Sequence, residues 1–249
     1  MFLLLGLLVL AELLPLPLPV PLPLIDPSNN AETLKSQAQH LIRERKLWSA
    51  HLHPQGAQIA RLIEAMAPSS FPQLSDLLTR VCLQLADLAP NMTLLITKTL
   101  SEMLTNEWSA SGQQPTAHLA RTLQFFARLN AYPALKISTL SILAGKLWDF
   151  LNALLVMKTF TNVGIKCQIA VHRLLESFLD SEISFIASSN AFGSNNSNNP
   201  LLNLATALPN KELIPKIVEA IFTNLLQVDV TSEVSAMGVR NLVILTEHE

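Results

Sequence analysis

Residues 1–25 read Met1-Phe-Leu-Leu-Leu-Gly-Leu-Leu-Val-Leu-Ala-Glu-Leu-Leu-Pro-Leu-Pro-Leu-Pro-Val-Pro-Leu-Pro-Leu-Ile25, and Glu12 is the one charged side chain among them. Read as a secretory leader, the stretch makes the chain secreted or membrane-anchored. Read as a buried helix, it makes the chain a piece of a larger helical body. A leader needs a basic n-region before its apolar run, and no Lys or Arg precedes Lys35. The run Phe2 to Ala11 is about half the roughly twenty residues needed to span a bilayer. That length suits a core helix, and Leu3, Leu4, Leu7, Leu8 and Ala11 fall on one helical face. The expectation is a packed apolar helix over 1–14. Secretion remains the alternative.

Pro15, Pro17, Pro19, Pro21 and Pro23 remove a backbone donor at every second position, which forbids helix and favours an extended polyproline connector over 15–28. Its interleaved leucines fit the domain's own core as well as a partner's groove. The remainder, 29–249, is long enough for one large domain or two. With 49% hydrophobic and 14% charged residues, the whole 249-residue chain is apolar for a soluble protein, and its net charge of −2 supplies no overall basic field for nucleic acid. Cys82 and Cys167 are far apart in apolar helical settings and read as buried thiols of a reducing compartment rather than a disulfide framework.

Helical periodicity dominates from there. Leu74, Leu77, Leu78, Val81, Cys82, Leu85 and Leu88 form one stripe, with Ser70 a candidate cap, Pro72 in the first turn and Pro90 past the end. Asn91 is a candidate cap for the next helix, whose inward residues are Met92, Leu95, Ile96, Thr99, Leu100 and Met103. Further stripes follow: Leu119, Leu123, Phe126, Leu129; then Leu135, Leu140, Leu143, Leu147; then Ile165, Ile169, His172, Leu175, Leu179. The last, Ile214, Ile217, Val218, Ile221 and Leu225, comes after the cap-like Asn210. The spacing predicts about ten to eleven helices of three to four turns and no strand. Expected interruptions are His53-Pro54, the polar segment Trp108 to Gln114, and 188–200, an Asn/Ser-rich low-complexity stretch that composition marks as a mobile insertion. Successive antiparallel helices of this size predict an all-α fold, an armadillo- or HEAT-like α-solenoid of helix pairs, with a compact bundle as the competitor.

Chemistry is sparse. No Gly-x-Ser-x-Gly is present, and neither cysteine stands in a nucleophile motif. His51 and His53 point about 200° apart on a helix and have no adjacent Cys or carboxylate to complete a zinc shell, so a helix end before Pro54 is the expected reading. His172 lies on an apolar stripe and reads as a hydrogen-bonded core residue. Thus no catalytic residue, metal or cofactor is expected. Arg43, Arg45 and Lys46 with Trp48 form the one basic cluster. Basic and aromatic residues interleaved in this way can contact RNA or a partner, although Glu44 dilutes the charge and a solvated helix face accounts for them equally. Asn91-Met-Thr and Asn195-Asn-Ser match the glycosylation pattern without deciding compartment.

Five blocks, in order, carry a family resemblance: Leu10-Ala-Glu-Leu-Leu-Pro-Leu-Pro-Leu-Pro19; Arg45-Lys-Leu-Trp-Ser-Ala-His-Leu-His53; Arg80-Val-Cys-Leu-Gln-Leu-Ala-Asp-Leu-Ala89; Leu208-Pro-Asn-Lys-Glu-Leu213; and Leu245-Thr-Glu-His248. The chain resembles part of the Virilizer family, within the helical body well after its N-terminal region, and so looks like a fragment of a longer protein. The resemblance implies a nuclear, non-catalytic scaffold of the complex that writes N6-methyladenosine on mRNA, acting also in alternative splicing and, in insects, sex determination. Implied partners are a coiled-coil adaptor, a zinc-finger protein, a ubiquitin-ligase-like subunit, a spen-type RNA-binding protein and the methyltransferase heterodimer. Any RNA contact would be indirect, and no membrane is involved.

Overall fold

The computed structural model describes residues 2–15, 31–179 and 213–246. Within these, the chain forms α1 (Phe2–Leu13), α2 (Ala31–Leu52), a 3-10 turn (His53–Gln55), α3 (Gly56–Met66), α4 (Pro72–Leu88), α5 (Pro90–Ala110) and α6 (Ala117–Leu129). It continues through α7 (Pro133–Leu143), α8 (Lys146–Val156), α9 (Asn162–Leu179), α10 (Leu213–Leu225) and α11 (Glu233–Thr246). No strand occurs among the described residues. The connector at 16–28, the Asn/Ser-rich segment, Asn195, Asn210 and most of the Leu208 block lie outside them.

Prolines set several helix starts. Pro72, Pro90 and Pro133 stand at the first positions of α4, α5 and α7, where a missing N–H costs nothing. This corrects two expected caps. Phe71 precedes α4 in extended conformation, and Ala89 precedes α5, so neither Ser70 nor Asn91 is the capping residue. A side-chain cap does occur at Thr116, whose hydroxyl accepts from Leu119 N at 3.1 Å at the start of α6. The polar interruption also begins later than expected. Trp108 lies inside α5, buried with its ring edge-on to Phe150 at 5.6 Å, and the chain turns at Gly112 and Gln113, both with positive φ.

The stripe drawn from Leu135 to Leu147 is two helices. Gly145 takes φ 102°, a conformation L side chains rarely adopt, and α7 and α8 diverge by 84° across it. All four leucines of the stripe are nevertheless buried. In α9 the buried face is turned relative to expectation: Cys167, Val171, Leu174, Leu175 and Phe178 face the core while Ile165 is exposed. No single described helix is long and apolar enough to cross a membrane.

Two series of neighbours organise the packing. In one, α1 lies on α4, α4 on α6, α6 on α9, and α9 on α11. In the other, α3 lies on α5, α5 on α7 and α8, and α8 on α10. Sequential pairs α4/α5, α5/α6, α8/α9 and α10/α11 join the series, and one hydrophobic cluster runs from Leu7 to Leu245. α6, packed on both sides, buries Leu119, Ala120, Leu123, Phe125, Phe126 and Leu129.

The apolar opening helix is part of this packing. Leu7, Ala11 and Leu14 are buried against α4, whereas Leu8, expected on that face, is exposed. A helix end leaves carbonyls without intrahelical partners. Here Gln84 Nε2 donates to Ala11 O and Leu14 O at 3.0 and 2.9 Å, Arg80 Nη2 donates to Ala11 O at 3.2 Å, and Arg80 pairs with Glu12 at 3.0 Å.

Candidate functional site

The basic cluster lies on the last turns of α2, and its members part company there. Arg45 is bound into the fold: Nη2 donates to Asp87 Oδ2 at 2.8 Å and Nε to Asp87 O at 3.1 Å, while Tyr132 OH donates to Asp87 Oδ1 at 3.1 Å. Burial, then the neighbouring Asp87 carboxylate, pushes the Tyr132 phenol well above its usual range, so it stays a donor. Trp48 is half-buried against the hydrophobic core. Arg43 and Lys46 remain exposed. Arg45 and Trp48 thus help dock α2, while Arg43 and Lys46 face solvent.

The docking has a register. Arg45 and Ser49 lie one turn apart on the same face of α2 and His53 follows in the 3-10 turn, while Asp87 stands at the end of α4 and Asn91 at the start of α5. Ser49 Oγ approaches Asn91 Oδ1 at 3.5 Å, and Asn91 Nδ2 meets His53 Nδ1 at 3.1 Å. Lys46, Ser49, Ala50, His53 and Asn91 line a shallow, open cleft beside this seam. His51 is exposed nearby, and no group of three His, Cys, Asp or Glu able to hold a metal occurs among the described residues.

His172 is fully buried at the meeting of α8, α9, α10 and α11. Its Nε2 lies 2.9 Å from Asn224 Oδ1 and its Nδ1 3.3 Å from Asn241 Nδ2, which also donates to His172 O at 3.0 Å. With the amides oriented in this way, Nε2 carries the proton and Nδ1 accepts, which defines a neutral imidazole. Burial holds its pKa below the ordinary value, only partly countered by the Asn224 bond. Asn224 Nδ2 donates to Leu155 O at 2.8 Å, and Gln168 Nε2 donates to Leu154 O and Met157 O at 3.1 and 2.9 Å, closing the C-terminal end of α8. The core reading of His172 is thus supported by geometry. Its partners Asn224 and Asn241, and Gln168 on the same helix, escaped the sequence reading because an isolated amide carries no mark of burial.

Both cysteines are free and buried. Desolvation raises the Cys82 thiol to about 12 and the Cys167 thiol to about 11. A thiol needs the opposite shift to act as a nucleophile near neutral pH. The Asn91 sequon lies in the first turn of α5, with the Asn91 amide engaged by Ser49 and His53 and Thr93 buried.

No family model matches the chain. Comparison with curated proteins finds Protein virilizer of Drosophila melanogaster, 57% identical over 244 residues, which are 98% of this chain and 13% of that protein. Protein virilizer of Drosophila pseudoobscura pseudoobscura is 58% identical over 245 residues, again 98% and 13%. Protein virilizer homolog of Homo sapiens is 28% identical over 258 residues, covering 98% of this chain and 14% of that protein. The chain spans about an eighth of the length of these relatives.

Proposed function

From the premise that this chain belongs to the Virilizer family, matching one segment of its longer members, we propose that it is a scaffold segment of the nuclear complex that writes N6-methyladenosine on mRNA and takes part in alternative splicing, including sex determination in insects. The observation that carries this reading is the sequence match along 98% of the chain to the Drosophila relatives. The segment acts without catalysis, by presenting helix faces to the coiled-coil adaptor, the zinc-finger protein, the ubiquitin-ligase-like subunit, the spen-type protein and the methyltransferase heterodimer.

Three features support a scaffold. The two series of neighbouring helices are consistent with the layers of an α-solenoid, a fold that exposes long faces because each unit contacts only its neighbours. Both thiols are buried and pushed upward, and His172 is buried and held neutral by amides. Finally, α2 is docked on α4 and α5 through the Arg45 and His53 seam, leaving Arg43 and Lys46 to solvent.

The test is affinity purification of the tagged chain from nuclear extract of insect cells, followed by reconstitution with the purified coiled-coil adaptor. Recovery of methyltransferase-complex subunits, with direct binding to the adaptor or another named subunit, is expected. Recovery of none of them by a folded, nuclear chain would overturn the role.

A further inference from the structure

Arg43 and Lys46 are the cations of the α2 cluster that the docking of α2 leaves unused. Arg43, Lys46 and Ala50 share one stripe of α2, and His53 follows in the 3-10 turn. No residue three or four positions from Lys46 is a carboxylate, and Glu44 lies about 200° round the helix from it, 3.7 Å from His40. Asp87, the acid that anchors α2, is taken by Arg45 and Tyr132. None of the ion pairs among the described residues uses Arg43 or Lys46. Lys46 borders the open cleft where the end of α2 and the 3-10 turn meet the start of α5, together with Ser49, Ala50, His53 and Asn91. The polar groups of that lining are set as donors. Ser49 Oγ donates towards Asn91 Oδ1 at 3.5 Å, an amide orientation in which Asn91 Nδ2 donates to His53 Nδ1 at 3.1 Å. With Nδ1 accepting, the proton of the neutral His53 ring sits on Nε2. The lining thus offers Lys46 Nζ, His53 Nε2–H and the second N–H of Asn91, and it contains no carboxylate.

We propose that this cleft receives a phosphate monoester carried on a partner polypeptide, as a phosphoserine or phosphothreonine side chain. Such a group brings a charge of about −1.5 to −2 and three acceptor oxygens. The positive charges of Lys46 and of Arg43 one turn away balance that charge, and the neutral donors of His53 and Asn91 meet oxygens that the cations leave. A shallow opening suits a group held out on a chain, whereas a free small molecule is ordinarily enclosed on most of its surface. RNA is the poorer fit. Tracking its backbone takes a run of cations and stacking its bases takes a free ring, but the cleft has two cations and Trp48 is packed against the core. The inference rests on the cleft alone and is independent of which complex subunits bind the chain.

Amide NMR on the deuterated 249-residue chain tests it at low salt, where a surface charge contact is least screened. Four probes are titrated: the peptide acetyl-Ala-Ala-phosphoserine-Ala-Ala-amide, the same peptide with plain serine, inorganic phosphate, and an oligouridylate. The phosphopeptide should shift the amides of Lys46, Ser49, Ala50, His53 and Asn91 saturably, and the plain peptide should not. Lys46→Gln should weaken this binding by about fivefold, the upper range for one exposed charge contact, and Lys46→Arg should retain it. Lys166→Gln, at an exposed lysine of α9, should leave it unchanged. Because Lys46 is exposed, these variants keep the fold. Absence of saturable shifts at these five residues overturns the proposal. So does equal binding by the Lys46→Gln chain. Binding of inorganic phosphate without the phosphopeptide would overturn the phosphorylated side chain as occupant, and tighter binding of the oligouridylate at the same residues would overturn it in favour of a phosphodiester. Failure to recover complex subunits would defeat the scaffold role while leaving these titrations unaffected.

Discussion

At the scale of single residues, the fold relies on buried side chains that combine polarity with a fixed partner. His172 accepts at Nδ1 from Asn241 and donates from Nε2 to Asn224, so protonation would remove an acceptor and place a charge in the core. Its folded pKa is lowered from 6.5. The neutral form is therefore favoured by folding, and its contribution is fully present above the unfolded value. It is lost as pH falls below about 6.5 towards the folded pKa, where the unfolded chain binds the extra proton. Urea midpoints should fall between pH 7.5 and 5.5, and His172→Gln should reduce that dependence. An unchanged midpoint would contradict a neutral imidazole held in the core with a lowered pKa. Gly238 makes a steric prediction: an added Cβ would lie 2.8 Å from Leu225 Cδ2 and 3.4 Å from His172 Cε1. Gly238→Ala should cost about 1–3 kcal/mol through overpacking, measured by equilibrium denaturation.

The basic cluster divides in the same way. Arg45→Ala removes charge-assisted bonds to Asp87 and should cost about 1.5–3 kcal/mol, whereas Arg43→Ala should stay within about 0.5 kcal/mol. That contrast marks the limit of the sequence reading. Arg45, Lys46 and Trp48 look alike as a local motif, and only the tertiary approach of Asp87, forty-two residues on, separates an anchor from a surface cation. His172 was legible as core because it sits on an apolar stripe; Asn224 and Asn241 were not, because their burial is created by α10 and α11 meeting α9.

At the scale of elements, long apolar stripes were readable and their breaks were not. The α4 and α6 stripes lie where the periodicity puts them, with Leu78, Val81, Cys82, Leu85 and Leu119, Leu123, Phe126 all buried. The α7–α8 break was hidden because leucines continue across it, and the decisive event is one backbone torsion at Gly145. Caps were misplaced because Pro72 and Pro90 start their helices without side-chain help. For α1, the apolar run predicted burial on one face, and the observed stripe is narrower, with Leu8 outside it. Its attachment draws on Gln84, buried and donating to Ala11 O in the last turn of α1 and to Leu14 O just past its end. Gln84→Leu should therefore cost about 1–3 kcal/mol by leaving Leu14 O without its donor while Ala11 O keeps only Arg80, with the loss seen first as faster hydrogen exchange in α4-contacting residues of α1.

At the scale of the whole molecule, the described helices pack around one continuous hydrophobic cluster that runs from Leu7 to Leu245. The central claim is that the oily first helix is an integral layer of that packing, held on α4 by Leu7, Ala11, Leu14 and the Gln84 and Arg80 bonds. Hydrogen–deuterium exchange on the purified chain reads this directly. The account predicts that amides of residues 7–13 are protected together with those of α4, and that Gln84→Leu releases the former before the latter. Immediate exchange throughout residues 7–13, while α4 remains protected, would contradict it.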